Sequence, residues 1–396
     1  MQEKERALDG VKVLDFTTMM SGPYCTRLMA DLGADVVKVE APGGDYIRMR
    51  VPLREGKSTY FATLNCGKKS IVLDLKQKEA LETVKQLAAQ CDVLVENFRP
   101  GVMQRLGLDY ETLSALNPRL VYCSISGFGQ NGPWAQRSAY APVLHAACGY
   151  DLANADYQDG LERPLKTGIF VADVLGGSLA FGGIQAALVR AARTGRGDYV
   201  DLSLMDSMLG MLIYECQAAQ FPTDHKRPLY QATRAKDGFI LIATVNQNNF
   251  EALAQGTGHP EWLQDQRFSN ASRGPNLGSH REHHWSELMA LLDEWAAPYT
   301  AAECEAILNK AGVPCSRYLS VREAMDHPAI QARGSFATLD DGAGPFRVPN
   351  PAFQFRNTVA QARDSVPELG ADTASVLNDW LGWSPDQVQN LQTATA

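Results

Sequence analysis

Short apolar runs alternate with amphipathic segments over the first two hundred residues, and glycine-rich turns separate them. Val11-Lys-Val-Leu-Asp-Phe16 predicts a strand, Gly22-Pro23 a break, residues 24–32 a helix ending at Gly33, and residues 35–40 a second strand. Strand, helix and strand within about thirty residues is the signature of a βαβ unit. The pattern recurs, with strands predicted at 70–75, 92–97 and 119–125 and helices at 79–90 and 102–116. Together these predict an α/β fold built on a Rossmann-like, doubly wound parallel sheet. Ligands of such sheets sit beyond the carboxyl ends of the strands, so the loops at Thr17, Asn97 and Ser126 are expected on one edge.

The pattern changes after Pro222. A strand at 238–244 and helices at 248–256, 283–296 and 301–311 predict a smaller α+β domain over residues 225–335. A large domain of residues 1–224 is expected to be completed by 336–396, through a Gly/Pro-rich return at 342–351 and helices at 373–381 and 384–391.

One acid stands apart in this pattern. Between Lys166 and Arg190 the only formal charge is Asp173, among Ile169, Phe170, Val171, Val174 and Leu175. A buried carboxylate without partners costs several kcal/mol, so such a group is either satisfied by backbone donors or held for chemistry. Residues 174–188 are rich in Gly and Ala and free of Pro, which predicts a packed helix with Asp173 at its N-cap. The uncharged run is long enough for a membrane span, but Asp173, Gln185 and five glycines favour an interior helix. Locally, a helix cap and a catalytic acid both fit.

Composition narrows the classes. A chain of 396 residues with 45% hydrophobic and 21% charged residues is globular, and its net charge of -8 disfavours general nucleic-acid binding. The eight cysteines are scattered, with no C-x-x-C and no zinc-site spacing, as expected of reduced thiols. The opening Met-Gln-Glu-Lys-Glu-Arg carries two acids and no apolar run, and a soluble, cytoplasmic protein is the expectation.

Several motifs fail. The turn after the first strand, residues 17–23, is not G-x-G-x-x-G, and no G-x-S-x-G elbow occurs. Ser126-Gly-Phe-Gly129 lacks the Lys-Ser/Thr of a phosphate loop. His280 and His284 fall four apart on a helix face, but a solvated surface is the simpler reading and no metal site is expected. His145, in an apolar segment, reads as an interior histidine.

The ordered blocks Leu8-Asp-Gly-Val-Lys-Val-Leu-Asp-Phe16, Ser21-Gly-Pro23, Asp31-Leu-Gly-Ala-Asp-Val-Val-Lys-Val-Glu40, Asn65-Cys-Gly-Lys-Lys-Ser-Ile71, Asp92-Val-Leu-Val-Glu-Asn-Phe-Arg-Pro-Gly101, Asn117-Pro-Arg-Leu-Val121, Ser126-Gly-Phe-Gly129 and Thr194-Gly-Arg-Gly197 together resemble the class III CoA-transferase family. That superfamily also holds formyl-CoA and carnitine CoA-transferases and the 2-methylacyl-CoA racemases. The resemblance implies an interlocked homodimer, acyl-CoA and carboxylic acid substrates, no tightly bound cofactor, and Asp173 as the nucleophile of an aspartyl-CoA mechanism. It further implies CoA contacts from Met19, Met20 and Ser21 in the first loop, from Leu73, Asn97 and Phe98, and from Arg105 as a phosphate cation.

Two departures qualify this picture. Ala41 stands where formyl-CoA transferase has an arginine, so Arg48, Lys68, Lys69 or Arg99 must serve the phosphates. Ala139-Tyr-Ala-Pro142 replaces the Gly-His-Asp of the racemases, which disfavours a racemase or epimerase, although His145 lies nearby. The glycine-rich flap of formyl-CoA transferase is missing, which argues against formate or oxalate chemistry. The expectation is CoA transfer from an acyl-CoA such as succinyl-CoA to a small dicarboxylate; the alternatives are a 2-methylacyl-CoA racemase and a CoA-binding protein without turnover.

Overall fold

A computed structural model describes residues 5–158, 160–164, 166–222, 230–244, 246–268 and 284–395. It divides into two compact units, residues 1–216 with 331–396, and residues 217–330.

In the first unit six parallel strands form one sheet: β1 (Lys12–Asp15), β2 (Asp35–Glu40), β3 (Lys69–Val72), β4 (Val93–Glu96), β5 (Val121–Ser126) and β6 (Asp198–Ser203). Their order is β3-β2-β1-β4-β5-β6, so the winding reverses between β1 and β4. A crevice opens at such a reversal, beyond the strand ends, because the helices on either side leave in opposite directions.

Successive side chains on a strand face opposite ways, and neighbouring residues of β1 therefore enter different cores. Val13 packs with Met29, Val95, Cys123, Ala180 and Ile184 on one face. There the layer is α1 (Ser21–Asp31) and α8 (Val171–Thr194). Leu14 packs with Val37, Val84, Leu87, Leu94 and Trp380 on the other face, under α3 (Lys78–Ala88) and α14 (Thr373–Leu381). Helix α14 returns from the far end of the chain to close this layer. The remaining helices of the unit include α2 (Thr59–Asn65), α4 (Val102–Leu106), α5 (Tyr110–Leu116), α6 (Ala141–Ala147), α7 (Tyr150–Asp156), α9 (Leu204–Met211) and α10 (Ile213–Gln220), which runs past the boundary.

The second unit pairs β7 (Ala232–Arg234), β8 (Phe239–Ile242) and β9 (Cys315–Arg317) antiparallel, in the order β9-β8-β7. Helices α11 (Gln247–Gly256), α12 (Trp285–Ala296) and α13 (Ala301–Lys310) supply its core, around Phe250, Leu292 and Leu308.

Four expectations are corrected. Helix α1 starts at Ser21, with Gly22 and Pro23 inside its first turn, where the missing N–H of proline leaves no helical bond unmade. Helix α8 starts at Val171, so Phe170 is the N-cap and Asp173 stands in the first turn. The expected helix over 102–116 is two helices, because Gly107 turns left-handed at φ 65° and ends the first. The return at 342–351 contains a strand, β11 (Pro345–Pro349), paired antiparallel with β10 (Phe336–Asp340). The prolines stand at its ends, where a two-stranded ladder tolerates a missing donor.

Helix α8 is long and apolar enough to cross a membrane by length and composition. Within its unit it packs against α1, α6, α9 and the strands β5 and β6.

Candidate active site

At the reversal point a cavity of about 230 Å³ lies beyond the ends of β1, β4 and β5. The loop after β1 gives it Thr18, Met19 and Ser21, the loop after β4 gives Asn97 to Pro100, and β5 with its exit gives Ile125, Ser126 and Gly127. Arg137 to Tyr140, Asp173 and Leu204 complete the wall. The three loops expected on one edge therefore meet here, and Asp173 is the only acid among the described residues of the lining.

Buried charges underneath fix the first loop. Asp15, at the end of β1, accepts from the Thr17 amide at 2.8 Å and hydroxyl at 2.5 Å, from the Thr26 hydroxyl at 2.7 Å, and from Lys68 Nζ at 3.0 Å. Burial works to raise this carboxyl, but the ammonium groups of Lys68 and Lys38 and the two hydroxyls outweigh it and hold it below the usual range. Lys38 donates to the Thr17 carbonyl at 2.6 Å and pairs with Asp45 at 2.9 Å. From the other side Asn97 clamps Thr18 with two bonds: its Oδ1 accepts from the Thr18 amide at 2.9 Å and its Nδ2 donates to the Thr18 carbonyl at 2.8 Å. Held at both ends, the loop carries Met19 at φ 67°, a left-handed conformation that a side chain rarely adopts and that surrounding contacts must maintain.

Asp173 enters the cavity from the first turn of α8. Two glycines make its position accessible. A methyl at Gly176 would come 2.1 Å from Leu204 Cδ2, and one at Gly177 would come 2.5 Å from the Ser21 carbonyl oxygen. At Gly177 only hydrogen clears the backbone of α1, whereas at Gly176 a methyl would have to displace the end of the Leu204 side chain on α9. The close approach sets the Ser21 hydroxyl beside the Asp173 carboxylate. Burial pushes Asp173 up to about 6, and the hydrogen bond from Ser21 partly opposes the rise. Tyr60 lies within the field of this acid, and both burial and Asp173 push its phenol upward.

The remaining expected contacts divide. Met19, Ser21, Asn97 and Phe98 line the cavity, whereas Met20 is half-buried in a small cluster with Met19, Ile47 and Phe61. Leu73 is buried in the core under α3 and α14, and Arg105 is exposed on α4; neither lines the cavity. Of the four alternative cations, Lys68 is bound to Asp15, Arg48 to Glu40 at 2.6 Å and Lys69 to Asp35 at 2.9 Å, while Arg99 lines the cavity.

His145 is fully buried and does not line the cavity; its Nε2 accepts from the Ala172 amide at 3.1 Å. Of the histidine cluster, His280 and His283 lie outside the described residues, and His284 pairs with Glu287 at 3.0 Å. Among the described residues no group of side chains forms a metal site.

Sequence reasoning missed Arg137 and the buried pairs under the loop, and it reached Ser126 and Tyr140 only as members of their segments, without a role for either side chain. Asp15 and Lys38 carry a readable signal, since charges inside apolar strands need buried partners. The Ser126 hydroxyl, buried with no hydrogen-bond partner among the described residues, had no such signal.

A crevice at a winding reversal is a ligand site, and this one is walled by backbone loops and holds one desolvated carboxylate. The family model for CoA-transferase family III matches residues 8–373. The human succinyl-CoA:glutarate CoA-transferase is 30% identical over 403 residues, covering 98% of this chain and 89% of that protein. The acetyl-CoA:oxalate CoA-transferase of Acetobacter aceti is 37% identical over 337 residues, with 82% and 84% covered. Among solved structures, a CAIB/BAIF family protein from Brucella suis superposes with a TM-score of 0.80 at 33% identity, covering 96% of this chain and 100% of that one. The chain belongs to CoA-transferase family III and is a CoA-transferase, with CoA thioesters as substrates.

Proposed function

We propose that the enzyme moves CoA from an acyl-CoA, with succinyl-CoA the first choice, to a small dicarboxylic acid through Asp173. The observation that carries this reading is the single desolvated carboxylate in the cavity at the sheet reversal, with its pKa pushed up to about 6. Desolvation makes a carboxylate a better nucleophile, yet at neutral pH most of it is ionised.

The ionised carboxylate of Asp173 attacks the thioester carbonyl carbon. The C–S bond breaks, CoA leaves as the thiolate, and a mixed anhydride forms. The thiolate then attacks the aspartyl carbonyl, expels the donor acid as its carboxylate, and leaves Asp173 as the CoA thioester. The acceptor carboxylate repeats the two exchanges and restores the free aspartate, with no net proton change. Each attack places negative charge on a carbonyl oxygen, for which the Ser126 hydroxyl and the backbone N–H groups of the Gly127 loop are suitable donors.

Dicarboxylate acceptors are favoured by charge. The lining holds Arg99 and Arg137 against Asp173 alone, and a second carboxylate would balance them. Relatives named for glutarate and oxalate, both dicarboxylates, agree with that class. We further propose a cytoplasmic, interlocked homodimer. The association alone draws support from large apolar side chains left exposed on the first unit, among them Met49, Val51, Ile169 and Ile213, each more than two-thirds exposed.

The test is chemical. After incubation with succinyl-CoA, hydroxylamine should convert Asp173 to a hydroxamate detectable by peptide mass spectrometry. An unmodified Asp173, with CoA exchange surviving in Asp173→Ala, would sink the mechanism.

A further inference from the structure

The first turn of α8 has backbone donors that the helix itself cannot satisfy, and its N-cap residue, Phe170, offers no side-chain acceptor. The acceptor comes instead from another helix. His145, on α6, is fully buried, and its Nε2 accepts from the amide of Ala172 at 3.1 Å, one residue before Asp173. An imidazole nitrogen can accept only when it carries no proton, so the ring must be neutral with its hydrogen on Nδ1.

We propose that His145 is a positioning residue for Asp173: as the neutral Nδ1–H tautomer it caps α8 from outside and fixes the turn that presents the carboxylate. This role rests on the reading of Asp173 as nucleophile. It differs from that of an acid or base, because Nε2 is engaged with backbone and the ring has no face on the cavity.

The surroundings favour the neutral ring. Burial lowers the His145 pKa, against the opposing charge of Asp151 on α7, whose Oδ1 already accepts from Thr167 at 2.9 Å. Tyr150 of α7 covers the ring at 5.3 Å. The other titratable groups nearby are Asp173 itself on α8, Cys148, whose Sγ lies 3.4 Å from the His145 carbonyl, and Cys216 on α10 beside that thiol. Protonation of the ring would place a second donor against the Ala172 amide and release the turn.

Two measurements test this. In the intact enzyme, nitrogen-15 imidazole spectra at pH 7.5 should show His145 with a protonated Nδ1 and an unprotonated Nε2; a proton on Nε2 would overturn the proposal. In kinetics, His145→Leu removes the acceptor, and kcat should fall about tenfold or more, the effect of one buried donor left unmade. KM for acyl-CoA should change less than about threefold, because the ring touches no substrate. His145→Gln, which keeps an acceptor, should recover most of the lost kcat. Its pH profile should also lack any acid limb due to the imidazole. A folded His145→Leu enzyme with wild-type kcat would overturn the role, as would a glutamine variant no better than leucine. Exchange surviving in Asp173→Ala would remove the nucleophile and the role with it, whatever tautomer the ring holds.

Discussion

Gly177 lies so close to Ser21 that a methyl on its α-carbon would stand 2.5 Å from the Ser21 carbonyl oxygen. The helix that bears Asp173 thus rests on the backbone of the helix whose hydroxyl faces it. Backbone cannot swing aside as a side chain can, so Gly177→Ala must push α1 and α8 apart. The expected cost is about 1–3 kcal/mol of stability, the usual range for overpacking. Because the shift separates Ser21 from Asp173, kcat should fall more than the stability loss explains. Urea unfolding and active-site-titrated kinetics on one preparation would check both; an alanine variant with wild-type kcat would contradict the close-contact argument.

Much of this arrangement was legible beforehand. Alternating apolar residues and turn glycines marked the first five strands of the main sheet, and parallel winding placed three loops on one edge. The isolation of Asp173 among apolar residues pointed to a special acid. The start of α8 was misplaced because no N-cap signal precedes it; the cap comes from His145, 27 residues away along the chain, which no local pattern can reveal. Lys68 was read as a free cation, since sequence does not show that Asp15 lies beneath it. Arg137 gave no signal because its position depends on the rings of Phe128 and Trp134, brought together only by the fold.

The pair of Asp15 and Lys68 yields a prediction about stability. Both side chains are fully buried, and Lys68 also donates to Asn65 and to the Pro23 carbonyl. Replacing the ammonium in Lys68→Met leaves the Asp15 carboxylate without its nearest countercharge in the interior. Breaking one side of a buried pair costs roughly 3–5 kcal/mol. The midpoint of urea unfolding should drop accordingly, and the double variant Asp15→Asn with Lys68→Met should recover part of the loss. A single variant as stable as wild type would show that the pair contributes little.

Arg137 should govern acceptor choice. Its guanidinium lies 4.6 Å from the Trp134 ring and 5.3 Å from Phe128, which hold it at the cavity wall. A charge-assisted hydrogen bond to the distal carboxylate of an acceptor is worth about 1.5–3 kcal/mol. In Arg137→Leu, kcat/KM for a dicarboxylate acceptor should therefore fall roughly ten- to a hundredfold, as that energy implies. Slow transfer to a monocarboxylate of equal length should be unchanged. If KM for the acyl-CoA donor rises instead, Arg137 serves the CoA phosphates and the acceptor argument fails.

The raised pKa of Asp173 ties activity and stability to pH in opposite senses. In the proposed role of nucleophile it must be ionised, so kcat/KM should rise with pH and level off above about 6, the value to which burial pushes the group. Removing the hydroxyl in Ser21→Ala takes away the bond that favours the ionised form, and the acid limb should move to higher pH. Stability runs the other way. The folded state holds the Asp173 proton more tightly than the unfolded chain, so this group's contribution is complete below about pH 4, the ordinary carboxyl value, and is lost as pH rises through about 6. At pH 8 the native protein carries that loss, whereas Asp173→Asn, which has no proton to release, does not. The asparagine variant should therefore be inactive yet more stable than wild type at pH 8, by roughly 1–3 kcal/mol at about 1.36 kcal/mol per pKa unit. At pH 4 the difference should nearly vanish. Thermal melts of the two proteins across this range would decide it: equal melting temperatures at pH 8 would mean that the carboxylate is well solvated and that desolvation does not raise its reactivity.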